Sequence, residues 1–348
     1  MTEGSAQAGE AGVKAVAPEQ EERSAPTGKE PRKPLRGYLE SYAFLGLLIV
    51  TFIFFSLWSE TSNTFPTAAN LRTLISSNAV IAIVALGALV PLVCYEFDLS
   101  VGATAGLSSV FVATALAHGT SILLAIGLGI GLGIVIGGIN ALLITRVGVN
   151  AVITTLGMSI IIDGVINQKT HGLAVTGDIP LGFSEFGSSN WLGIPKIAYV
   201  LVVVAIAVFY LLNNTPYGRY LYAFGSNRNA ARLVGIRTKL TLGLTFIISG
   251  ALAGAAGILQ VSRAGSADPK VGDTFTLPAL AAAFLSAAAM RPGRYNVTGT
   301  LVAIFFLGVL NSGLNLAGSP EYINNYVNGA ALIVGVGLAV RLGRRQEL

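Results

Sequence analysis

The sequence predicts an all-α polytopic membrane protein of about ten transmembrane helices, with both termini in the cytoplasm. Composition is the first reason. Of 348 residues, 53% are hydrophobic and only 11% charged, whereas an ordinary soluble domain carries about 25% charged residues. Mean hydropathy is +0.69, and a surface so poor in polar groups suits lipid rather than water. The second reason is a succession of apolar runs of helical length. The third is the one-sided distribution of lysine and arginine between those runs.

Residues 1 to 37 are rich in Glu, Ala, Gly, Lys and Pro. They are expected to form a disordered cytoplasmic tail, whose basic stretch at 29–36 is placed to meet anionic lipid. No apolar core of signal-peptide length starts near Met1. Residues 38–348 form the membrane domain. A spanning helix needs about 17–25 mostly apolar residues. The runs that qualify are 41–58, 78–95, 101–118, 121–145, 150–167, 197–212, 241–262, 275–290, 297–317 and 322–341. Those at 101–118, 150–167 and 275–290 are short or carry Thr, Ser and Asp, which suits broken or re-entrant helices. Between the runs, 59–77 predicts a short interfacial helix opening near Pro66. Residues 168–196 are rich in Gly, Ser and Asn, with Trp191 at interfacial depth. The remaining long connection, 213–240, has five basic residues and no acidic one.

With the N-terminus inside and ten crossings, 17 of the 22 basic residues fall on the inner side. Only Arg72, Lys169, Lys196, Arg263 and Lys270 fall outside. That bias follows the positive-inside rule and supports an even number of crossings. It also accounts for the net charge of +5 without nucleic acid as a partner.

Several chemistries are absent. There is no G-x-x-x-x-G-K-[ST] loop to cradle ATP phosphates. His118 and His171 stand alone, and the single cysteine, Cys94, lies in an apolar run, so neither a triad nor a metal site is expected. The chain is therefore expected to be no enzyme and to hold no cofactor.

Polar residues inside the runs carry more information. Intramembrane carboxylates default to function, and the candidates are Glu96, Asp98 and Asp163. Asp98 and Ser100 stand where the third span needs an N-cap, so a helix-cap or gating role is favoured over proton coupling. Gly127/Gly131, Gly129/Gly133, Gly133/Gly137 and Gly250/Gly254 form G-x-x-x-G pairs, read here as packing within one subunit rather than a homodimer seam. Asn311 and Asn315, with Ser312 nearby, share one helix face. Either they bond neighbouring helices or they line a hydrated path for a hydroxyl-rich solute. In the inner connection, Gly225-Ser226-Asn227 turns the chain and caps a new helix over Asn229–Val234, closed by Gly235. That basic helix, with its Ala230-Ala231 face, suits docking into a groove on a partner, or it merely sets topology.

Here the sequence resembles a family. F-D-L-S-V-G (97–102), N-A-L-L-I-T-R (140–146), T-T-L-G-M (154–158), the segment T-P-Y-G-R through R-L-V-G-I (215–236) and L-G-V-L-N-S-G-L-N-L (307–316) are similar to motifs of ribose-type ABC permeases. The likeness runs from about residue 60 to 340. It implies a permease subunit of a binding-protein-dependent importer for a monosaccharide or related small polar solute. It implies a second permease subunit, an extracytoplasmic solute-binding protein and ATP-binding cassette subunits that hold ATP and Mg. The coupling segment would contain Tyr217, Gly218, Arg219, Gly225, Asn229, Ala230, Ala231, Arg232 and Gly235. The family commonly has Gly-Gly-Ile where this chain has Tyr95-Glu96-Phe97, and a glycine-rich stretch where it has S-A-A-A-M-R-P-G-R-Y (286–295). The competing reading is an ion-gradient-driven secondary transporter, which needs coupling carboxylates at mid-depth.

Overall fold

The computed structural model describes residues 34–291 and 293–344, with side chains described for 42–291 and 293–338. The tail expected over 1–37 lies outside the described residues up to residue 33. The described residues form thirteen α-helices. They are α1 (Pro34–Leu57), α2 (Ala68–Leu92), α3 (Val101–Ala117), α4 (Ile122–Leu142), α5 (Ala151–Thr170), α6 (Leu181–Ser188) and α7 (Lys196–Asn214). Then follow α8 (Pro216–Ser226), α9 (Arg228–Leu233), α10 (Thr238–Ala264), α11 (Val271–Leu285), α12 (Val297–Leu316) and α13 (Tyr322–Arg344). Each of the ten apolar runs falls on one helix. Six helices (α2, α4, α5, α7, α10 and α12) are long and apolar enough to cross a membrane, and three shorter apolar stretches lie in α1, α3 and α11.

The interfacial helix expected over 59–77 does not exist as a separate element. Residues 58–66 form tight turns, with Phe65 N–H bonded to Thr61 O. Thr67 then caps α2 by accepting Asn70 N–H. The helix runs without a break into the membrane, because Leu71, Leu74 and Ile75 continue the apolar face of the span. The connection 168–196 folds into α6 and a two-residue antiparallel hairpin that pairs Trp191 with Ile194.

α2 and α10 form the centre. Within their apolar windows, 72% of α2 and 67% of α10 is buried, against 22% for α4. α10 packs on α4, α2 and α3, while α11 packs on α13, α2 and α3. Apolar burial does not drive helices together in lipid, so close backbone approach matters more. Glycine supplies it at the α4–α10 crossing. A Cβ on Gly133 would overlap the Gly250 carbonyl, one on Gly137 the Phe246 carbonyl, and one on Gly254 the Gly129 carbonyl. Gly127, Gly131 and Gly138, on the other faces of α4, meet nothing. The packed glycines thus act within one subunit.

α4 continues as one π-helical stretch, Leu143–Val147, and stops at Gly148 with φ +87°. Connections 93–100, 213–240 and 286–296 touch one another at one end of the bundle, through Arg228–Glu96 and Tyr222–Tyr295. Connections 172–195 and 265–270 meet at the other, where Val175 bridges Ala267.

Candidate functional site

The sequence builds a two-helix bracket between α7 and α10. Thr215 accepts Gly218 N–H and Pro216 occupies the first turn, so α8 starts at once after α7. Asn227 Oδ1 accepts Ala230 N–H at 2.9 Å and starts α9. Gly225 and Ser226 remain helical within α8, so the turn expected at 225–227 is confined to Asn227. Gly235, at φ +84°, ends the bracket, as the cap position at the end of a helix favours.

The bracket has an inner and an outer face. Tyr217 is half-buried and donates to Thr241 O at 3.1 Å, which ties α8 to α10. Gly218 lies against the Leu212 backbone and Gly225 against the Val93 carbonyl, each too close for a side chain. Ala231 is 3% exposed. Tyr222 donates to Tyr295 O at 2.9 Å, and Arg294 stacks over its ring. Burial pushes the Tyr222 phenol above its ordinary value, with Arg294 and Arg291 opposing, so it stays a neutral donor. The outer face carries Arg219, Asn229, Ala230 and Arg232. An Ala230-Ala231 docking face therefore does not form, because adjacent helical residues point about 100° apart and Ala231 turns inward. Leu233 and Val234, 89% and 77% exposed, complete the outer ridge. Sequence reading placed both in the helix over 229–234 but left them out of the coupling segment, because apolar side chains of a short helix ordinarily turn inward.

Arg228 locks the bracket to the connection between α2 and α3. Its Nη2 donates to Glu96 Oε1 at 2.6 Å and approaches Cys94 O at 3.4 Å, and its guanidinium lies over the Phe224 ring. Glu96 is well shielded while Arg228 is half exposed. We expect Arg228→Glu to break this clasp, and the double variant Glu96→Arg/Arg228→Glu to restore part of it. The interaction energy from the cycle should be about 1 kcal/mol by thermal unfolding, the range for partners in contact. Additive single variants would show that the pair is idle.

Two residues after Glu96 the same connection turns into the protein. Asp98, 1% exposed, accepts Ser100 N–H at 3.0 Å and the Ser100 hydroxyl at 2.6 Å on Oδ1. Oδ2 accepts the Ser249 hydroxyl of α10 at 2.7 Å. Asn140 of α4 donates to Ser100 Oγ at 2.9 Å, and Leu99 N–H is held by Thr155 of α5. Asp98 thus serves the start of α3 through a single N–H, that of the capping residue itself. Its other oxygen reaches across to α10. The D-L-S-V-G stretch is a node joining α3, α4, α5 and α10.

Backbone conformation marks both places where the resemblance led glycines to be expected. Tyr95 and Met290 adopt φ +58° and +61°, a region that costs a non-glycine residue about 1–2 kcal/mol. Tyr95 packs edge-on against Tyr295, which holds that conformation in place.

Asn311, Ser312 and Asn315 are not brought to this node. Asn315 accepts Asn324 Nδ2 at 2.8 Å, and Asn311 lies 3.5 Å from Asn328 Oδ1, both partners on α13. Ser312 donates to Asn70 of α2. Of the two readings for these residues, the geometry displays the helix-bonding one. Asp163 is half-buried on α5, away from the node. Among the described residues there is no cluster of His, Cys, Asp or Glu that would hold a metal.

A family model described as branched-chain amino acid transport system / permease component matches residues 70–336. The ribose import permease protein RbsC of Escherichia coli (strain K12) is 32% identical over 296 residues, 83% of this chain and 91% of the relative. RbsC of Bacillus subtilis (strain 168) is 35% identical over 294 residues, 84% and 90% of the two chains. The autoinducer 2 import system permease protein LsrC of Photorhabdus laumondii is 30% identical over 286 residues, 82% and 86%. No solved structure matches the chain significantly. A match over most of the chain, coinciding with the node and the bracket, leaves one conclusion: this chain belongs to the ribose-type ABC permease family.

Proposed function

We propose that this chain is the membrane-spanning subunit of a binding-protein-dependent ABC importer for a monosaccharide or a related small polar solute, in the plasma membrane. It crosses ten times, with both termini and the α8–α9 bracket in the cytoplasm. Its relatives are named for ribose and autoinducer 2 import, and that supports the solute class. The basic residues gathered at the bracket end support the orientation. The observation that carries the reading is the bracket itself. It exposes a ridge of Arg232, Leu233 and Val234 while Arg228 ties its underside to the Asp98 node.

The pathway lies between two such subunits. The ridge seats in an ATPase subunit that holds ATP and Mg, and a solute-binding protein docks on the opposite end. ATP favours one pathway state only because it binds the closed ATPase pair better. Closure moves the ridge, Arg228 pulls on Glu96, and the node passes the displacement to α3, α4, α5 and α10 together. The ion-gradient reading is the weaker one. Asp98 spends one oxygen on Ser100 at the start of α3 and the other on Ser249 of α10, and the named relatives are import-system permeases.

Leu233→Asp combined with Arg232→Glu tests the docking. Loss of the co-purifying ATPase from a permease that still unfolds at its usual temperature is expected. Truncating a central apolar contact costs about 2 kcal/mol or more of affinity, which is over tenfold. Undiminished co-purification would remove the ridge from the interface.

A further inference from the structure

The α9–α10 junction also borders a feature that shares only Arg232 with the docking ridge. Arg146 from the π-helical stretch, Arg232 from α9, and Arg237 and Lys239 from the start of α10 line a cleft of about 930 Å³. Among the described residues no carboxylate lines it. Its wall is apolar: Leu142, Leu240, Leu244 and Ile247. Leu142 and Leu240 are more than half exposed and continue the uncovered apolar side of α4, where Val135 and Ile139 also stand bare. The cleft therefore opens onto the uncovered apolar side of α4, beside the ends of two helices long and apolar enough to cross a membrane.

Topology alone explains why basic residues occur at this end. It does not explain why four of them share one cleft without a counter-charge. The π-helical stretch contributes to the gathering. It widens the last turn of α4 just where Arg146 projects, and Gly148 then turns the chain away. Single π turns in helices are frequent at functional sites. A cationic rim above an apolar wall matches a phosphate carried on acyl chains, as basic pockets beside membrane helices do.

We propose that this cleft binds an anionic phospholipid. The headgroup phosphate sits among Arg146, Arg237 and Lys239, with Arg232 of the ridge at its edge, and the acyl chains lie along Leu142, Leu240, Leu244 and Ile247. A free phosphate ester satisfies the rim but leaves the wall uncovered. The inference rests only on the chain's crossing a membrane and not on the transporter reading above.

The full chain, purified in detergent and delipidated, is titrated with phosphatidylglycerol, phosphatidylcholine or glycerol phosphate. Thermal unfolding and native mass spectrometry report stabilisation and retained lipid. Phosphatidylglycerol is expected to stabilise the chain and remain bound, and the other two to do neither. Arg146→Gln/Arg237→Gln/Lys239→Gln is expected to weaken phosphatidylglycerol binding by about a hundredfold, and the milder Lys239→Gln by about fivefold. Arg291→Gln removes a cation at the same end but outside the cleft, and is expected to leave binding unchanged. Equal stabilisation by phosphatidylcholine or glycerol phosphate would overturn the proposal. So would unchanged binding by Lys239→Gln, or an equal loss in Arg291→Gln. Displacement of the retained lipid by added ATPase subunit would give the cleft to that protein instead.

Discussion

Gly133→Val is expected to yield no folded protein in the membrane, while Gly131→Val, two residues away on the same helix, is expected to be tolerated. A Cβ at 133 would run into the Gly250 carbonyl, and into backbone rather than the end of a flexible side chain. Overpacking a rigid contact costs about 1–3 kcal/mol, and here the two helices must part along the Gly129, Gly133 and Gly137 line. That separates α4 from α10, on which α2 and α3 also pack. At Gly131 nothing lies within reach. Yield of monodisperse protein and its unfolding temperature measure the contrast. Equal behaviour of the two variants would show that the α4–α10 contact is not set by glycine.

Asp98→Ala is expected to stop transport and to destabilise the fold by about 3 kcal/mol. The substitution strands three donors: Ser100 N–H, the Ser100 hydroxyl and the Ser249 hydroxyl. Each unsatisfied buried group costs about 1–3 kcal/mol, and the lower end applies because chains unfolded within a membrane find other partners. Asp98→Asn keeps the shape but offers one acceptor oxygen in place of two. It is expected to retain the fold at a lower unfolding temperature and to transport slowly. The comparison separates the roles. If Asp98→Ala unfolds like the parent and transports normally, the node is neither structural nor part of coupling.

The all-α polytopic architecture was legible because each long apolar helix announces itself locally. Apolar runs of span length, Asn227 and Gly235 need only a few neighbouring residues to be read. In the bracket, α8 was read only as connection and Gly225 and Ser226 as turn, whereas α9 and its capping residue Asn227 were legible for the same reason. The pairing that gives the bracket meaning was not. Arg228 meets Glu96 across 132 positions and Asp98 meets Ser249 across 151, and no local pattern encodes such distances. Two further expectations went astray for physical reasons. The interfacial helix at 59–77 was inferred from polar residues among apolar ones, but Thr67 starts the span's own helix there. Ala230-Ala231 was taken as one face, although a helix as short as α9 turns neighbours apart and buries Ala231. The amides of Asn311 and Asn315 carried two readings because the sequence does not show that α13 supplies Asn324 and Asn328 opposite them.

Solute uptake tests the central claim most directly. Vesicles holding the permease with its ATPase subunits are given the solute-binding protein, a panel of labelled monosaccharides, and either ATP or an ion gradient. Uptake of one of these sugars that requires both ATP and the binding protein, and that is lost in Arg232→Glu/Leu233→Asp, is the predicted result. Uptake driven by an ion gradient without ATP would contradict it, and would make Asp98 and Asp163 the residues to follow.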